Sequence, residues 1–77
     1  MTDTLKLKAL IVEKQSTQRK LAKGIGISVA SLSLKIHNKR EFLISEVAKI
    51  QELFSLSDEK IMEIFFAKNV DDKRNKA

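Results

Sequence analysis

The chain has 77 residues, no cysteine, and 15 Lys or Arg against 10 Asp or Glu, a net charge of +5. That length allows one domain with a small core, burying only about 60% of the surface of the unfolded chain. With no cysteine and only short apolar runs, neither a disulfide framework, a thiolate metal site, a membrane span nor a secretory leader is expected, and a soluble cytoplasmic protein is the expectation.

In chain order, Thr2 or Thr4 can cap a first helix over about residues 4–14, with Leu7, Leu10 and Ile11 inward and Lys6 and Lys8 outward. Thr17 can cap a second helix, about 18–25, whose Leu21, Ala22 and Ile25 share one face. Gly26 falls where that helix must stop, in a backbone conformation that glycine adopts without a Cβ penalty. Ile27 is expected to turn inward and Ser28 to cap a third helix, 29–36, with Val29, Leu32 and Ile36 on its buried side. Asn38 is a left-handed stop, and His37 to Glu41 form a polar loop. Phe42 then tucks back as a core plug. A fourth helix over 44–54 turns Val47, Ile50, Leu53 and Phe54 inward. Ser57 caps a fifth, with Asp58 and Glu59 at the positive end of its dipole and Ile61, Met62, Ile64, Phe65 and Phe66 following. The fold class is therefore all-α, a compact bundle of about five short helices over residues 1–67.

The tail, 68–77, carries charges of both signs and one large apolar side chain, too little to offset ordering entropy, and is expected to be disordered. Charge is unevenly placed. Residues 1–40 hold nine Lys or Arg against Asp3 and Glu13, a net +7; residues 41–77 hold six against eight acidic residues, a net −2. A one-sided positive field of this kind is the footprint of a phosphate-binding surface, although a lysine-rich surface also serves solubility.

Two short helices joined around a glycine form a helix-turn-helix. The pattern Thr17-Gln18-x-x-Leu21-Ala22-x-x-Ile25-Gly26-Ile27-Ser28-x-x-x-Leu32-Ser33 resembles the Cro and lambda-repressor-like DNA-binding family, the small regulators of phages and mobile elements. The resemblance covers roughly residues 5 to 66. It implies a sequence-specific transcriptional regulator whose third helix enters the major groove of double-stranded operator DNA. Groove-facing positions map to Ser28, Val29, Ala30, Ser33 and Leu34. Thr17 and Gln18 then start the helix that crosses the backbone, with Gln18 able to reach a phosphate and sometimes a base, and Arg19, Lys39 and Arg40 are phosphate clamps. Lys35 is read as solvated or phosphate-facing.

The sequence departs from the family at three places. Gln15 and Ser16 stand where relatives turn at a glycine, implying a looser first junction. Leu43 stands where relatives carry a threonine, so the capping box with Glu46 loses its forward half unless Ser45 caps a later start. Val29, Ala30 and Leu34 stand where relatives carry amides, arginines or serines.

On a helical wheel Leu34 lies about 140° from Val29, off the Leu32 and Ile36 stripe. Three readings stay open. Leu34 contacts thymine methyls in a T-rich operator, with help from Ser31, Ser33 and Lys35; it folds down onto the domain; or Val29, Ala30 and Leu34 dock on another repressor protein, as in an antirepressor or immunity modulator. The apolar run of the last helix points to a homodimer through Met62, Phe65 and Phe66. No catalytic constellation, cofactor motif or metal-ligand set is present: the single histidine, His37, has no partner ligand.

Overall fold

The computed structural model describes residues 1–68. Five helices follow in order: α1 (Thr4–Glu13), α2 (Gln18–Ile25), α3 (Val29–Ile36), α4 (Ile44–Phe54) and α5 (Asp58–Phe65). No strand occurs among the described residues, and the fold class is all-α as expected. α2 packs on both α3 and α4, α4 on α5, and α5 on α1. Leu7, Leu21, Ile25, Leu32, Ile36, Ile50 and Ile64 are fully buried at the centre, so every helix contributes to one core. The expected disordered tail lies, beyond Lys68, outside the described residues.

Local chemistry explains each boundary. Three hydroxyls cap as their positions imply: Thr17 accepts from the Lys20 amide, Ser28 from Ser31 and Ser57 from Lys60, at 3.0 to 3.1 Å. α1 differs. Its cap is Asp3, which accepts from the Lys6 amide at 3.1 Å. The flanking threonines serve tertiary contacts instead: the Thr4 hydroxyl donates to the Ile36 carbonyl at 2.7 Å, and the Thr2 amide donates to Asn38 Oδ1 at 2.9 Å.

The α1–α2 junction is not loose. Gln15 takes φ +54°, and the Gln15 and Ser16 amides close onto the Val12 and Ile11 carbonyls at 2.9 Å. A non-glycine residue therefore makes the left-handed turn, at a cost of about 1 kcal/mol. Gly26 makes the equivalent turn after α2 at φ +80°, with open space around the position of a Cβ.

At α4, Leu43 occupies the capping position without an acceptor side chain, while Glu46 Oε1 accepts from its amide at 2.9 Å. Ser45 lies inside the helix and does not cap it. Half the capping box survives.

Three side chains expected in or out of the core are elsewhere. Val29 is 40% exposed at the first turn of α3, and Leu53 is half exposed, lying over Gly24 at the edge of the α2–α4 contact. Phe65, expected at an intermolecular surface, is only 5% exposed and meets Phe42 edge to face, with centroids 5.2 Å apart. Phe42 is partly buried against the core, as the plug reading requires. No helix among the described residues is long and apolar enough to cross a membrane.

Candidate nucleic-acid interface

The face of interest is the outward side of α3 with its flanks. Leu32 and Ile36 anchor α3 in the core, fully buried. Taking Val29 as zero on the wheel, the remaining positions divide by angle. Val29, Ser33, Ala30 and Leu34 span an arc of about 140°, while Lys35 lies about 60° from Leu32 on the opposite side. Val29, Ala30 and Leu34 are exposed, Leu34 at 37%, and Ser33 is half-buried. Ser28 stands exposed at the start of the helix, its oxygen committed to the Ser31 amide.

Lys35 is a correction. Expected to be solvated or to face phosphate, it is 8% exposed, and its ammonium donates to both oxygens of Glu46 at 2.6 and 2.7 Å. Burial draws the Glu46 carboxyl upward, but the Lys35 ammonium, the Leu43 amide and the charges of Lys35 and Lys49 outweigh it, so the carboxyl titrates below its ordinary range. Glu46 thus carries two tasks, starting α4 and tying it to α3. The signal was in the wheel: Lys35 shares the Leu32 side of α3, where an unpartnered ammonium is too costly to bury.

The basic flanks are open. At the start of α2, Arg19 and Lys20 are exposed and Gln18 is half-buried, with Thr17 spent on capping. Beyond α3, Asn38 takes φ +62°, and the Lys39 and Arg40 amides close onto the Leu34 carbonyl at 2.8 and 3.3 Å. That closure fixes the exposed Lys39 and Arg40 at the C-terminal end of α3. His37 Nδ1 lies 2.9 Å from the Ser33 carbonyl, which assigns the ring proton to that nitrogen.

Sequence reasoning missed the strap that holds this face from behind. Asn38 Nδ2 donates to the Thr2 carbonyl at 2.8 Å while Oδ1 receives the Thr2 amide. The Asp3 amide donates to the Ile64 carbonyl at 2.7 Å, and Met1 and Ala67 exchange bonds at 3.0 and 3.2 Å. Residues 1–4 therefore join the exit of α3 to the end of α5. The only available hint was Asn38 itself, a residue type that tolerates the left-handed region and has an amide to spend.

No group of three or more His, Cys, Asp or Glu able to hold a metal ion occurs among the described residues. The apolar side chains around the end of α5 border a groove of about 520 Å³, whose rim includes Met1, Leu43, Ile44 and Phe66. Ile44 is 73% exposed there.

No curated protein matches the sequence. The profile of the family described as "Protein of unknown function (DUF739)" matches residues 1–68, and the chain belongs to that family.

Proposed function

We propose that this protein is a sequence-specific DNA-binding transcriptional regulator of the Cro and lambda-repressor-like kind. α2 and α3 act as a helix-turn-helix, with α3 lying in the major groove and α2 crossing the backbone. The observation that carries this reading is the exposed outward arc of α3, with exposed Arg19 in the first turn of α2 and exposed Lys39 and Arg40 directly after α3 in the chain. An exposed helix face with cations on the adjoining segments matches the division of labour in groove readers: cations set affinity and register, the helix sets specificity.

The protein acts in the cytoplasm as a dimer on a two-fold operator, because one short helix spans too few bases to specify a genomic site alone. The dimer surface we assign is made of the groove-rim residues Phe66 and Ile44 together with exposed Met62 of α5; the buried Phe65 supports Phe42 instead. Regulation is steric, through occupancy of a promoter.

A second reading has one specific support, the apolar character of Val29, Ala30 and Leu34. In it, the same arc docks on another repressor protein, as an antirepressor would.

Salt dependence separates the two. With three clamps per copy, a dimer releases counterions from about six phosphates, so log affinity falls against log salt with a slope of about −5. Arg40→Ala flattens the slope by about two, one per copy. A duplex affinity unchanged between low and near-physiological salt rejects DNA as the partner.

A further inference from the structure

We propose that α3 reads its operator by the C5-methyl groups of thymines, with Val29 and Leu34 as the specificity-determining side chains. This rests on the DNA-binding reading above.

Each base edge in the major groove asks for a different partner. Guanine O6 and N7 take an arginine or lysine, adenine N6 and N7 an asparagine or glutamine, cytosine N4 a carboxylate, and the thymine methyl an apolar group. The outward arc of α3 offers Val29, Ala30, Ser33 and Leu34, with Ser28 at its entrance. None of these is an amide, a guanidinium or a carboxylate. The one charged side chain on α3, Lys35, is withdrawn from the groove by its two bonds to Glu46. Ser28 is engaged in capping, though its hydroxyl proton is still available to an acceptor. The large groups that α3 itself offers to base edges are therefore the aliphatic ones, Val29 at 40% and Leu34 at 37% exposure, Gln18 of α2 being the one amide among the candidate DNA-facing residues.

Their spacing fits this task. Leu34 lies five positions after Val29, about 7.5 Å along the helix axis, roughly two base steps. Pressing two aliphatic side chains against G·C edges would strip water from acceptors and an amino group without replacing their bonds. The arc therefore selects thymine by contact and rejects G·C by desolvation, so that discrimination has an attractive and a repulsive part.

The test uses the intact protein and the duplex it enriches from a random pool. Each thymine of the half-site is replaced by deoxyuridine, which removes the methyl and leaves the Watson–Crick face unchanged. Replacement at the contacted thymines is expected to weaken binding about fourfold per methyl, the equivalent of one buried CH₂ group. Leu34→Ala abolishes the uracil effect at one of those positions, and Leu34→Gln moves the preferred base there to adenine. Binding that stays within about twofold after uracil replacement at every thymine overturns the methyl readout while leaving DNA recognition intact. If no duplex is enriched at all, the DNA reading itself fails and the methyl readout fails with it.

Discussion

Lys35 and Glu46 show how a single pair can decide what the outward face of a helix contains. The ammonium is bonded to both carboxylate oxygens, and the carboxylate also receives the Leu43 amide, so neither charge is left uncompensated. Removing one partner strands the other, a loss of about 3 kcal/mol for Lys35→Met or Glu46→Gln at neutral pH. The double variant Lys35→Met/Glu46→Gln is expected to recover part of that loss, because the glutamine oxygen can still accept from Leu43. Urea unfolding measures all three.

The pair also sets a pH dependence. Glu46 has its folded-state pKa lowered, so its contribution is complete above the ordinary carboxylate range and is lost as pH falls through the folded value. The gap in stability between the natural protein and Glu46→Gln is therefore expected to be constant from pH 8 to about 5 and to shrink below about 4. A gap that persists unchanged at pH 3 contradicts the assignment. Sequence reasoning placed Lys35 outside because lysine is rarely buried. Its partner is eleven positions away on another helix, a distance that periodicity within α3 does not reach.

At the scale of the element, helix boundaries were legible wherever one residue had one job. Thr17, Ser28 and Ser57 cap as read, and Gly26 stops α2. The reading failed at α1, where it considered Thr2 and Thr4 and passed over Asp3. The Thr4 hydroxyl is spent on the Ile36 carbonyl, and the Thr2 backbone is paired with Asn38, partners that only the tertiary fold supplies. Val29 failed for a related reason: its helical spacing from Leu32 is right, but at the first turn of α3 no other element covers it.

The strap of residues 1–4 gives Asn38 more weight than a loop residue normally carries. Asn38→Ala removes two bonds to Thr2, worth about 1 kcal/mol each, and keeps the Cβ that already strains the left-handed position. Asn38→Gly loses the bonds but not the backbone geometry, and is expected to be the milder of the two by about 1 kcal/mol. Equal losses in chemical denaturation would mean that the backbone at residue 38 is not held where the fold places it.

For the whole molecule, the five-helix order and most of the core followed from apolar spacing. The intermolecular surface did so only in part. A run such as Ile61, Met62, Ile64, Phe65 and Phe66 announces excess apolar area but not which members are covered, and Phe42 takes Phe65. Of the exposed remainder, Phe66 shares a groove with Ile44, from a helix whose first turn was read only for its cap. Sedimentation at tens of micromolar is expected to show a dimer, and Ile44→Asp or Phe66→Asp a monomer with unchanged helical content. A natural protein that remains monomeric there contradicts the dimer assignment.

The charge asymmetry belongs to this scale as well. With Lys35 paired internally to Glu46, the exposed cations nearest α3 in the chain are Lys39 and Arg40 at its C-terminal end, and the outward arc of α3 itself carries no charge. Such a surface gains affinity from phosphates and selectivity from shape and methyl groups.

The central claim is that α3 recognises a DNA sequence, and selection of bound fragments from a random duplex pool tests it most directly. The account predicts enrichment of one site with two-fold symmetry and half-site centres about one helical turn apart, weakened in Arg40→Ala. Failure to enrich any sequence, with Leu34→Asp abolishing capture of a repressor protein while the fold is retained, would contradict the claim and assign the same face to a protein partner.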